Sequence, residues 1–190
     1  MASKQVLVLN GSPRRDGNSV VLAERVAAGA RAAGAEVETF FLHTMDIQPC
    51  DACDACQGMD EGECMIQDGM QILYPKLRRA DALVIASPIY WFTVNAQTKL
   101  FIDRCYALES LQGSGLAGKK IGIVLTYGDS DPFNSGAVNA LRTFQDIFRY
   151  ARAEIVGFVY GSASREGEIR SQTGLLENAY KLGQELGASA

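Results

Sequence analysis

Four consecutive apolar residues, Val6, Leu7, Val8 and Leu9, run directly into Asn10-Gly11-Ser12-Pro13-Arg14-Arg15-Asp16-Gly17-Asn18-Ser19, and a helical pattern begins immediately afterwards. An unbroken apolar run of this kind suits a strand covered on both faces, which requires helices on either side of a parallel sheet. Gly11 and Gly17 permit a tight turn and a close backbone approach to a ligand. The hydroxyls of Ser12 and Ser19, the amide of Asn18, the guanidinium groups of Arg14 and Arg15 and the free N–H groups of a helix start could all face one anion. In the helix that follows, Leu22, Val26 and Ala30 recur every four residues and give it a face for the sheet. The stretch holds neither G-x-x-x-x-G-K-[ST] nor G-x-G-x-x-G, so a single terminal phosphate fits better than a triphosphate or pyrophosphate. An ordinary Gly/Pro/Ser turn is the alternative.

The alternation continues along the chain. Strand-like segments at 6–9, 36–42, 82–87, 120–126 and 154–160 are interleaved with helix-like segments at 19–33, 68–79, 95–111, 136–151 and 173–186. This pattern predicts an α/β fold with a five-stranded parallel sheet, in a single domain over 1–190, long enough to bury a full core. Pro75 is expected to kink or shorten the second helix. One irregular insertion, at about 46–67, holds four of the five cysteines. A net charge of −4 offers no basic surface for nucleic acid or anionic lipid. No apolar stretch approaches the roughly 18 residues of a membrane span, and Met1-Ala2-Ser3-Lys4-Gln5 has no apolar signal core, so the expected location is cytoplasmic, with no membrane partner.

Ligands of open parallel sheets collect beyond the carboxyl ends of the strands. There the third strand runs into Pro88, Ile89, Tyr90, Trp91 and Phe92, and the fourth ends at Thr126, Tyr127 and Gly128. Three successive aromatic residues call for a flat apolar partner, each contact adding about 1 kcal/mol beyond burial. Phe92 and Phe101 could equally pack into a core or subunit interface. His43, the only histidine, has no nucleophile beside it in sequence, so nothing indicates hydrolysis. A phosphate cradle and an aromatic platform on one sheet edge describe a mononucleotide with a planar ring, and FMN fits that description.

Three motifs in order, Asn-Gly-Ser-Pro-Arg-x-x-Gly-Asn-Ser at 10–19, Pro-Ile-Tyr-Trp-Phe at 88–92 and Lys-x-Phe-Ile-Asp-Arg at 99–104, make the chain resemble the flavodoxin-like NAD(P)H-dependent FMN reductases, and within them the iron-sulfur flavoproteins. The resemblance implies a flavodoxin-like three-layer sandwich with strand order 2-1-3-4-5 and helices on both faces. It implies that Ser12, Arg14, Asn18 and Ser19 hold the FMN phosphate, that Pro88, Ile89, Tyr90, Trp91 and Phe92 line the isoalloxazine, and that Thr126, Tyr127 and Gly128 close the other side. It also implies a homodimer or homotetramer in which one subunit's cysteine loop approaches another's flavin. Lys99, Asp103 and Arg104 are expected in packing and in helix-end or subunit salt bridges.

Cys50, Cys53, Cys56 and Cys64 form C-x2-C-x2-C-x7-C. Three closely spaced cysteines can wrap three corners of a cubane, and a fourth can close it. The resembled flavoproteins carry such a triad with a fourth cysteine a short, variable distance on, which implies a 4Fe-4S cluster here. Zinc, free or sensing thiols, and a Cys53–Cys56 disulfide are the alternatives. Cys105, at apolar spacing from Phe101, reads as a packing residue. Asp51, Asp54, Asp60, Glu61 and Glu63 lie among the cysteines with no Lys or Arg between them, a field that lowers a cluster's potential.

The expected activity is an FMN-dependent oxidoreductase that moves electrons from NAD(P)H or a protein donor, with the hydride passing to the flavin, to a small-molecule or protein acceptor. A cluster-free NAD(P)H:flavin or quinone reductase, a non-catalytic electron carrier and a redox- or metal-sensing module are the rival readings.

Overall fold

The computed structural model describes residues 3–58 and 63–188. Residues 59–62 include Asp60 and Glu61, two of the loop acids noted above, which lie outside the described residues. The elements are β1 (Gln5–Asn10), α1 (Asn18–Ala32), β2 (Glu36–Phe41), α2 (Met70–Arg79), β3 (Ala82–Tyr90), β4 (Thr93–Val94), α3 (Ala96–Arg104), β5 (Glu109–Ser110), β6 (Gly113–Ser114), β7 (Lys120–Tyr127), α4 (Ala137–Tyr150), β8 (Glu154–Ser162) and α5 (Thr173–Gly187).

The principal strands pair in parallel in the order β2-β1-β3-β7-β8. Counted in chain order, this is the expected 2-1-3-4-5 sheet. β1, β3 and β7 occupy its centre and are buried along nearly their whole length, as unbroken Val/Leu/Ile runs require. The edge strand β2, with Glu36 and Glu38 exposed, carries the polar residues an edge tolerates. Successive side chains of β1 divide between two cores. Leu7 and Leu9 pack with Leu73, Leu77, Phe101, Phe144 and Phe148 of α2, α3 and α4, while Val6 and Val8 pack with Leu22, Val26, Leu182 and Leu186 of α1 and α5. Burial of one such aliphatic side chain contributes about 1.5–3 kcal/mol.

Two local expectations are corrected. The helix expected over 95–111 stops at Arg104, continues as one 3-10 turn (Cys105–Leu108) and gives way to the small β5–β6 hairpin. The third strand does not end at 87 but extends to Tyr90 and folds back on β4, pairing Ile89 with Val94 and Tyr90 with Thr93. The aromatic run therefore sits on a two-residue hairpin turn, not in an open loop. Pro75 lies inside α2, which runs through it for ten residues and is shorter than α1, α4 and α5.

Candidate flavin site and cysteine loop

At the carboxyl ends of β1, β3 and β7 the chain encloses a cavity of about 320 Å³, lined by Ser12, Arg14, Gly17, Asn18, Ser19, Pro88, Ile89, Tyr90, Thr126, Tyr127, Gly128, Ala163 and Ser164. The topology explains the position: β1 and β3 lie side by side but feed their following helices to opposite faces, and a crevice opens where they diverge. All four residues expected at the phosphate end are on its wall. A Cβ at Gly17 would come within 2.7 Å of Ser12 Oγ and 3.1 Å of the Arg14 carbonyl, so only glycine lets the loop fold this tightly. Gly17 is the N-cap of α1 and supplies no side-chain cap; its carbonyl accepts from the Val20 and Val21 N–H groups, while the uncapped helix start at Asn18 and Ser19 lies on the cavity wall. Ser19 Oγ, on the cavity wall, is buried without a hydrogen-bond partner among the described atoms, the condition expected of a group that awaits a polar ligand.

The other residues expected at the anion divide their work. Ser12 Oγ donates to the Arg14 carbonyl and accepts from the Arg14 N–H, both at 3.1 Å, which curls the loop around the cavity. The Asn18 side-chain amide donates to the carbonyls of Ala163 and Arg165 and accepts from Ile169 N–H. It thus ties the loop after β8 to α1, leaving its backbone N–H at the helix start. Arg15, read as a second guanidinium on the anion, instead stacks 4.9 Å over the Phe41 ring and does not line the cavity.

A second hollow of about 220 Å³ is lined by Ile89, Trp91, Phe92, Tyr127, Gly128, Asp129, Asn134 and Ser135. Its walls share Ile89, Tyr127 and Gly128 with the first, so the end at the start of α1 and an aromatic end are contiguous. Trp91 and Phe92 occupy the hairpin turn with φ of 49° and 69°. A turn with two positive φ values favours Asn-Gly, and each bulky residue there costs about 1–2 kcal/mol. The Phe92 carbonyl accepts from Asn139 Nδ2 at 3.1 Å, and the Phe92 backbone rests against Gly136, where a Cβ would approach to 2.5 Å. Trp91 is 92 % exposed and meets Phe92 edge to face. Phe101 is fully in the core, which decides between its two readings.

Asn95 caps α3 by accepting from Thr98 N–H and donates from Nδ2 to the Gly11 carbonyl at 2.6 Å. It fastens the loop after β1 to the third helix. Sequence reasoning missed Asn95, Ala163 and Ser164. The last two follow the fifth strand, and the rule that ligands gather at strand ends would have flagged that loop as well.

The cysteine loop lies on the α2/α3 side. Cys50 and Cys53 are exposed, Cys56 is buried against the core, and Cys64 is partly buried. All five cysteines are free thiols, so the Cys53–Cys56 disulfide is not formed. Among the described residues no three His, Cys, Asp or Glu side chains converge to hold a metal ion. The donor set nevertheless matches in kind what a cluster needs: four thiols from one segment, each able to serve a separate corner. Cys105 packs against the core as expected and also borders a cavity of about 790 Å³ with Cys50, Ala52, Asp54, Tyr106 and Tyr150; burial, with Glu109 and Asp103 nearby, pushes its thiol well above the usual range. Lys99 and Asp103 form an exposed i,i+4 ion pair as expected, but Arg104 turns inward to Asp68. His43 sits in a 3-10 turn after β2, its Nδ1 3.2 Å from Gln97 Nε2.

Comparison with known proteins agrees with this geometry. The family model for NADPH-dependent FMN reductases matches residues 5–177. An iron-sulfur flavoprotein of Methanosarcina thermophila is 30% identical over 149 residues, covering 78% of this chain and 75% of that one. Another, of Methanocaldococcus jannaschii, is 28% identical over 190 residues, covering 96% and 95%. The solved NAD(P)H:quinone oxidoreductase of Methanothermobacter marburgensis superposes over the full length of both chains with a TM-score of 0.76 at 18% identity, which establishes the shared flavodoxin-like fold. No described helix is long and apolar enough to cross a membrane. With the strand order, the crevice and the family match in agreement, the chain belongs to the NADPH-dependent FMN reductases and is an FMN-dependent oxidoreductase.

Proposed function

We propose that the chain binds FMN across the two contiguous hollows, draws electrons from a reduced nicotinamide or a protein donor, and delivers them to a small-molecule or protein acceptor by way of a 4Fe-4S cluster on Cys50, Cys53, Cys56 and Cys64. The observation that carries the flavin half is the orphaned Ser19 hydroxyl at the uncapped start of α1, at one end of a crevice whose other end is aromatic. Bound there, FMN supplies hydride acceptance and single-electron release.

The chain's own residues bind and orient. Ser12, Ser19, the start of α1 and the Arg14 guanidinium hold the phosphate. Pro88, Ile89, Tyr90, Trp91 and Phe92 on one side, with Thr126, Tyr127 and Gly128 on the other, line the ring. Burial raises the Tyr127 phenol above its usual range, with Tyr160 and Asp131 adding to the effect, so it stays protonated and can donate at neutral pH. The exposed Trp91 and Phe92 on the wall of the second hollow support a homodimer or homotetramer in which a second copy covers them. The cluster half is supported by the donor set and by the names of the two flavoprotein relatives.

Anaerobically purified protein is expected to release FMN on acid treatment and to contain about four irons per chain, as one cubane requires. Its flavin absorbance should bleach on addition of NADH or NADPH. Flavin that stays oxidised with both nucleotides, and with a reduced protein donor, contradicts the oxidoreductase reading. Bleaching without iron leaves a cluster-free reductase.

A further inference from the structure

Arg104, at the end of α3, is 1 % exposed, yet its guanidinium is spent on the base of the cysteine loop. One terminal nitrogen donates to the Gln48 carbonyl at 2.8 Å and to Asp68. The other donates to Asp68 Oδ1 at 3.2 Å and to the Cys64 sulfur at 3.3 Å. The Asp68 side chain is as buried as its partner and also accepts from Gln48 N–H at 2.8 Å and Met70 N–H at 2.9 Å. Residues on either side of the four cysteines thereby meet one guanidinium. The Gly69 N–H, donating to the Asp46 carbonyl at 2.6 Å, closes the same base.

Stability alone does not account for this arrangement, because an apolar pair of similar volume stabilises a core as well as a buried ion pair does. What an apolar pair could not supply is a cationic donor on one of the four thiols. Nor could lysine reproduce it: a single ammonium lacks the planar fork that reaches a carboxylate, a carbonyl and a sulfur together.

We propose that Arg104 is a positioning residue for the cysteine loop, fixing Cys64 at the loop base and donating to its sulfur so that the cluster held there is easier to reduce. The electronic half rests on the cluster reading above; the positional half rests on this chain alone. Hydrogen bonds to cysteine sulfurs are among the determinants of cluster potential, and this one opposes the lowering by Asp51, Asp54 and Glu63. Arg104→Lys, and the charge-balanced pair Arg104→Met with Asp68→Asn, are to be compared with the parent chain in FMN-loaded, anaerobic protein. The readouts are iron and FMN per chain, the cluster midpoint potential by spectroelectrochemical titration, and iodoacetamide labelling of each cysteine after iron removal, read by mass spectrometry. Both variants should keep FMN and show a lower midpoint potential. Cys64, protected in the parent relative to Cys50 and Cys53, should label several-fold faster. Unchanged potentials overturn the electronic half, and unchanged Cys64 labelling overturns the positional half. A parent chain that never binds iron refutes the cluster reading and with it the electronic half, while the labelling still decides the positional half. Collapse of both variants makes Arg104 a folding residue and overturns the proposal.

Discussion

Replacing Asn95 by alanine removes the link between the phosphate loop and α3, and its cost can be worked from the bonds lost. Asn95 is 1 % exposed. Its Oδ1 accepts from Thr98 N–H at 3.3 Å, Thr98 Oγ1 at 2.7 Å and Ser87 Oγ at 3.2 Å, and its Nδ2 donates to the Gly11 carbonyl at 2.6 Å and to Gln97 Oε1 at 2.9 Å. Loss of a helix N-cap costs about 1 kcal/mol. Leaving a buried carbonyl without its donor costs about 1–3 kcal/mol more. The expected destabilisation is therefore about 2–4 kcal/mol, a fall in Tm of roughly 5–15 °C for a chain of this size. Asn95→Ser keeps an acceptor for the cap but cannot reach Gly11, so it should recover only the capping contribution of about 1 kcal/mol. Thermal unfolding of the flavin-free protein, followed by circular dichroism, measures both variants. Because Gly11 precedes Ser12, saturating FMN should raise Tm less in either variant than in the parent. A serine variant as stable as the parent would refute the claim that the Gly11 bond fastens the loop.

Arg14→Ala should weaken FMN binding by about 1.5–3 kcal/mol, roughly ten- to 150-fold in Kd, in a fluorescence titration of flavin-free protein; unchanged affinity removes Arg14 from the phosphate site. Trp91→Asn with Phe92→Gly relieves two strained positions and should stabilise the fold by about 1–2 kcal/mol or more while slowing nicotinamide oxidation; a destabilised variant would show that the turn is not strained. Burial works to raise the Asp68 carboxyl, but the hydrogen bonds from Arg104, Gln48 and Met70 outweigh it and hold the group below its ordinary 3.8. Its contribution to stability is therefore full above about pH 4 and lost as pH falls through the lower folded value. Asp68→Asn strands a buried guanidinium and should cost about 3–5 kcal/mol at neutral pH. That gap from the parent should narrow in urea melts below pH 4, and a constant gap contradicts the assignment.

What could be read from the sequence was whatever adjacency determines. A buried strand, a glycine-bearing turn and a helix start are neighbours in the chain, so the loop that lines the cavity was visible from residues 10–19, as was the division of the sheet among five strands. Contacts between distant residues were not. Arg104 and Asp68 are 36 positions apart, and Asn95 and Gly11 are 84 apart; nothing local distinguishes an arginine at a helix end that turns to solvent from one that turns inward. The turn at Trp91 and Phe92 was hidden for another reason. Hairpin signals rest on residues that accept positive φ at little cost, and here two aromatics occupy those positions against their preference. Arg15 misled because a second guanidinium beside an anion loop is an electrostatic expectation, whereas the Phe41 ring offers it a cation–π contact instead.

The central claim, one FMN seated with its phosphate on the loop between β1 and α1, is tested most directly by titrating the flavin-free chain with FMN, riboflavin and FAD by isothermal calorimetry. One FMN per chain is expected, with markedly weaker binding of riboflavin, which lacks the phosphate that Ser12, Arg14, Ser19 and the helix start would hold. Equal affinity for riboflavin and FMN, or a preference for FAD, would contradict it.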